Sequence, residues 1–166
     1  MSFELHPDTP PGGVSLAEYF GGRNVTAMQE YLRRAAATYD LPFAPPDRLS
    51  NTRLAIEASE FARDQGRHEA FSRGVFAAYF VAGENIGSLE VLVRIAEGAG
   101  LDGVLLREAL DMGTCGARRE AAAAEARRLG VNGVPTFVFP HMAISGAQPL
   151  ETFRRALEGL DAAARG

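Results

Sequence analysis

The sequence predicts an α/β fold, and three observations carry that prediction. The long middle of the chain places apolar residues at helical spacing. After Gly130 the period changes to the short alternating runs of strands, TFVF and MAIS. Pro149 then opens a last amphipathic stretch, LETFRRALEGL. Strand, helices, strand, strand, helix is the order of a mixed domain and not of a bundle.

Taken in order, SFELH sets Phe3 and Leu5 against Ser2, Glu4 and His6, which predicts a brief half-buried strand ended by the turn-rich PDTPPGG. Ser15-Leu16-Ala17-Glu18 has the form of a capping box, so a short helix is expected to start there and stop at Gly21-Gly22. Thr26-Ala27-Met28-Gln29 is a second box, opening a helix to about Tyr39. LPFAPPD, with three prolines, is an irregular connection. RLAIEASEFARDQG places Leu54, Ile56, Ala58, Phe61 and Ala62 on one side and ends at Gly66; EAFSRGVFAAYFVAG does the same with Phe71, Val75, Phe76, Tyr79 and Phe80. Both stripes read as core. Ser88 is the expected cap of LEVLVRIAEGA and Asp102 of GVLLREAL, and ARREAAAAEARRL runs on to Gly130. The two strands that follow are joined at Pro140-His141.

The 166 residues are 46% hydrophobic and 23% charged, which suits one globular domain. A net charge of -4 with no basic cluster gives a nucleic acid or an anionic membrane nothing to hold, so neither is expected as a partner. MSFELHPDTPPGG has no basic n-region and no apolar h-region, and a cytoplasmic location is the expectation. The longest nearly apolar run, GVFAAYFVAG, is about ten residues, against roughly twenty for a membrane-spanning helix. Cys115 is the one cysteine, which excludes a disulfide within these residues and a thiolate zinc site of the usual kind.

The stretch GVPTFVF raises a specific question, because Pro135 has no N–H for a sheet ladder and yet stands at the start of the best strand. Read blind, a Val–Pro bond in a folded protein is cis in about 5–6% of cases, so these residues alone predict an ordinary trans start.

Over nearly its whole length the chain resembles the DsbA-like thioredoxin-fold family. The segments that carry the likeness are FELHPDTPPGGVSLAEYFG, the tract from NTRLAIEASEF to RIAEGAGLD, EARRLGVNGVPTFVF and ISGAQPLETFRRAL. The wording of SGAQPLETF is most similar to the FrnE-like branch, whose neighbours are the 2-hydroxychromene-2-carboxylate isomerases and the kappa-class glutathione transferases. The resemblance implies a single thioredoxin-like domain over residues 1–166, in which residues 1–24 and 131–166 form the thioredoxin part and about 25–130 a mostly helical insertion. It implies a cis-proline at Val134-Pro135 beside the active site, with the main chain of Val134 turned outward to an extended peptide or to glutathione, as in one-residue strand addition. Gln148, next to the start of the last helix, is a third expected substrate contact, with a plain helix cap as the alternative.

The family pattern also has a first strand, a Cys-x-x-Cys motif and a first helix, and none of the three matches a segment of this chain. The expected fold is therefore an N-terminally truncated thioredoxin-like one, and the expected function is a thiol–disulfide oxidoreductase by descent that is redox-inactive as written. No catalytic residue is assigned, and whether the chain is an enzyme stays open. A non-catalytic peptide- or glutathione-binding module and a glutathione-dependent isomerase or transferase are the alternatives. No cofactor is expected, with glutathione as a candidate substrate. An upstream start, a strand lent by another chain in a homodimer, and pairing of SFEL with TFVF are the three ways open for completing the sheet.

Other reactive side chains read as structural. Cys115, in MGTCGARREAAAA, sits where a helix start favours a thiolate, but one thiol runs no dithiol cycle. His6, His68 and His141 show no ligand spacing, Ser88 and Ser145 have no matched base, and Arg118-Arg119 and Arg127-Arg128 read as a solvated helix face.

Overall fold

Apolar residues recurring every three or four positions give four consecutive helices one buried stripe each, and those stripes meet. The computed structural model describes residues 3–21 and 24–163, so Ser2 and Gly22, on which two of the expected boundaries rest, lie outside the described residues. The described helices and strands run β1 (Val14–Ser15), α1 (Leu16–Tyr19), α2 (Val25–Ala37), β2 (Arg48–Leu49), α3 (Arg53–Asp64), α4 (His68–Phe80), α5 (Leu89–Gly98), α6 (Gly103–Asp111), α7 (Gly116–Arg128), β3 (Thr136–Val138), β4 (Ala143–Ser145) and α8 (Leu150–Ala163). They divide into two compact units, Met1–Ala123 and Ala124–Gly166.

In the first unit α3 packs on α4, α4 on α5, α5 on α6 and α6 back on α3. The ring encloses Phe71, Leu92 and Leu106, all fully buried, with Ala58, Ala62 and Ala96 letting the backbones approach. Gly74 makes the closest approach: a Cβ there would lie 2.6 Å from Cγ2 of Ile95, so α4 and α5 meet through hydrogen where any other residue would clash. Asp102 caps α6 as its sequence position predicts, its carboxylate accepting from the N–H groups of Val104 and Leu105.

Several local expectations are corrected. The cap of α2 is Asn24, whose side chain accepts from the Ala27 N–H, so the helix starts before Thr26 can cap it. Ser15 and Ser88 precede α1 and α5 without capping them; the Ser88 hydroxyl donates to Glu90 instead. Residues 3–6 lie in no strand, and their pattern is inverted, with Glu4 buried and Leu5 exposed. The reason is electrostatic: Arg119 reaches Glu4 at 3.6 Å and Glu57 at 2.9 Å, and this pairing draws Glu4 inward. Arg119 is thereby a mostly buried clamp and not part of a solvated face. The sheet partner of the N-terminal region is a short pairing of Val14 with Leu49 and Ser15 with Arg48. Phe76 is 62% exposed. It lies about 140° round the helix from Phe71 at the usual 100° per residue, and it stacks on Phe80 at 6.1 Å rather than entering the core.

In the second unit β3 and β4 form an antiparallel hairpin that pairs Thr136 with Ser145, Phe137 with Ile144 and Val138 with Ala143. Phe137 meets Phe153 of α8 edge-on at 4.8 Å, and Ile144 and Ala156 are buried. The Phe139 N–H donates to the Met142 carbonyl, closing the hairpin. The C=O of Pro149 accepts from the Thr152 N–H in the first turn of α8, as its place in the sequence predicts.

Phe71→Ala is expected to cost about 3–5 kcal/mol of unfolding free energy, the range for emptying a fully buried aromatic site. Phe76→Ala is expected to cost about 0.5 kcal/mol or less, as for other exposed positions. Urea denaturation of both variants checks the pair, and equal losses would contradict the packing described.

Candidate functional site

A proline that opens a strand can still take part in the ladder through its carbonyl. Pro135 does so: its C=O accepts from the Gly146 N–H at 2.8 Å, one step beyond the Thr136–Ser145 pair. Gly146 holds φ +82, a conformation glycine adopts without penalty. On the other side, the Thr136 hydroxyl donates to the Gly133 carbonyl at 2.7 Å and closes the turn. The Val134–Pro135 peptide bond is cis.

Between these occupied groups stands Val134. It is 54% exposed, and among the described residues neither its N–H nor its C=O has a hydrogen-bond partner. A main-chain donor and acceptor of one residue, both open, are what an extended ligand needs for strand-like pairing. Within the described hairpin β3 pairs only with β4, so its outer edge continues this opening.

Gln148 lies in the same unit, exposed, after β4. Its side-chain N–H donates to the Ser145 carbonyl at 3.0 Å, bracing the turn from β4 to α8. Its amide oxygen is left for other contacts.

The remaining reactive side chains are placed as follows. Cys115 is buried immediately before α7. A guanidinium nitrogen of Arg118 lies 3.1 Å from its sulfur, and the same side chain forks onto Asp64 at 2.7 and 2.6 Å. That hydrogen bond holds the Asp64 carboxyl below the usual carboxylate range. His6 is half-buried against Tyr19, whose hydroxyl lies 2.9 Å from Nδ1, and burial lowers its pKa. His68 meets Ser59, and His141 is exposed. The clamp of Glu4, Glu57 and Arg119 is the main polar feature that sequence reasoning missed. Its only signal was an acidic residue in an otherwise apolar stripe of α3, Glu57, which periodicity treats as noise.

Residues 1–158 match the DSBA-like thioredoxin domain family. The chain belongs to that family. A solved structure of a probable DsbA oxidoreductase from Streptomyces coelicolor is 31% identical and superposes with a TM-score of 0.84, covering 94% of this chain and 71% of its own. An uncharacterised protein of Bacillus subtilis (strain 168), YwbO, is 28% identical over 95% of this chain and 78% of its own length. At 20% identity a 2-hydroxychromene-2-carboxylate isomerase shares the fold, with a TM-score of 0.70 over 93% of this chain and 81% of its own. The chain is thus an α/β protein of the DSBA-like thioredoxin domain family.

Two expectations follow from the Cys115 environment. Because Cys115 is 4% exposed, the native protein should react with a disulfide reagent far more slowly than the denatured chain, and a stopped-flow thiol titration checks this. Asp64 has its pKa depressed in the folded state, so its contribution to stability is present above the ordinary carboxylate pKa and is lost as pH falls through the folded value. Asp64→Asn should flatten the acid side of the stability profile below about pH 4; an unchanged acid limb would argue against the pairing.

Proposed function

We propose that this chain holds an extended polypeptide, or glutathione, along the main chain of Val134 beside Pro135. By descent it is a thiol–disulfide oxidoreductase of the FrnE-like branch. The observation that supports this reading is the pair of main-chain groups on an exposed Val134 that have no partner among the described residues, set between the occupied carbonyls of Gly133 and Pro135. With Cys115 as the one cysteine and buried, the 166 residues taken alone run no dithiol cycle. What they keep is the surface that aligns a substrate.

Two added hydrogen bonds, each worth about 1 kcal/mol net, give a weak complex, with a dissociation constant of about 0.1–1 mM once flanking side chains contribute. In a titration with an apolar extended heptapeptide or with glutathione, followed by amide NMR, the largest shifts are expected at Gly133, Val134 and Thr136. Val134→Ala keeps the main chain and should change affinity by about twofold or less, because the recognition runs through backbone atoms. Insulin disulfide reduction by the 166-residue chain should stay at background. Saturation with no movement of the Val134 amide would remove the reading.

A further inference from the structure

The opposite end of the same hairpin carries a second opening. Between the β3–β4 connection and α8 lies a cleft of about 450 Å³, within the usual range of small-ligand sites. Met142, Ala156 and Leu160 make its apolar walls, and His141, Thr152 and Arg155 bring three polar groups to its rim.

Gly159 is the informative residue. It sits in the interior of α8, where glycine is about 1 kcal/mol worse than alanine. Among the described residues a Cβ built on Gly159 meets no atom within 4 Å. The space beside it is the cleft, which Gly159 lines. Gly159 therefore lines the cleft without filling any of it, at the expense of helix propensity.

The chemistry of the lining sets the ligand class. The Arg155 side chain is 76% exposed and touches Glu151 through Nε at 3.2 Å, and among the described residues its two terminal nitrogens have no partner and remain to meet an anion. A planar fork of donors above an apolar floor fits a carboxylate carried on a hydrocarbon body. We propose that the cleft between the hairpin tip and α8 binds a small amphipathic carboxylate, with its head on Arg155 and its apolar body against Met142, Ala156 and Leu160 beside Gly159. This site is separate from Val134, which lies at the other end of β3.

Hexanoate, hexanol and hexylammonium test it, since they share one apolar body and differ in head-group charge. Titrated into the full chain and followed by amide NMR, hexanoate should bind with a dissociation constant near 1 mM, in keeping with so few atoms. It should bind at least about tenfold more tightly than hexylammonium, the factor expected of one favourable charge contact. Shifts should concentrate at His141, Met142 and Gly159. Arg155→Met should remove the preference for the anion while leaving hexanol unchanged. Gly159→Leu, which adds a helix-favouring side chain in open space, should keep or raise the melting temperature and abolish binding of all three. The same variant should leave peptide-induced shifts at Val134 intact, so failure at one end of the hairpin is told apart from failure at the other. Equal affinity for the three probes, shifts elsewhere, or full binding by the folded Gly159→Leu variant would overturn the proposal.

Discussion

Pro135 can accept a ladder hydrogen bond but cannot donate one, and the start of the β3–β4 hairpin is arranged around that asymmetry. The carbonyl of Pro135 takes the Gly146 N–H, so the hairpin keeps a bond on its inner side up to the proline. In an antiparallel pair a residue's N–H and C=O face the same neighbour, so the bond that Pro135 cannot make is the return one to Gly146. Val134, next to the proline, has main-chain groups with no partner among the described residues, and its exposure lets water satisfy them.

The features legible in the sequence are those fixed by near neighbours. The period change after Gly130, the carboxylate cap at Asp102 and the proline before α8 depend on contacts a few residues apart, and each appears where its residues stand. Features fixed by distant partners were not legible. Glu4 is drawn inward by Arg119, far along the chain, and nothing in SFELH announces that partner. Phe76 lies on the seam of its helix, where hydrophobic type says core and angular position says rim. β1 and β2 are two residues each, below the length at which alternation can be seen at all. At the candidate site, Val134 and Pro135 could be singled out through a family resemblance, and only coordinates show which neighbouring groups are already occupied. The bond from Gln148 back to Ser145 likewise depends on how the turn folds, so a residue suggested as a ligand contact is found bracing a loop.

Cys115 shows how environment outranks residue type. Cys115 stands one step ahead of a helix and 3.1 Å from a guanidinium. It is nonetheless buried, and the guanidinium beside it is committed to Asp64 by a two-pronged contact. Arg118 therefore ties α7 to α3, and the sulfur lies in the bend between α6 and α7 as part of that tie. A reagent would have to open the packing before reaching it.

The clamp at Arg119 carries the same lesson into energetics. Two buried carboxylates face one guanidinium, and among the described residues one oxygen of Glu4 has no partner. Removing three charges from water costs several kcal/mol per ion before their attraction is counted, so such a cluster is a poor source of net stability. Its consequence is positional. Apolar residues in an irregular segment can slide against a core with little change in energy, whereas Glu4 satisfies its charge only where Arg119 stands. That constraint fixes residues 3–6 against α3 and α7 without a strand, and it explains why the burial of this segment follows its one acidic residue instead of the hydrophobic alternation on either side of it.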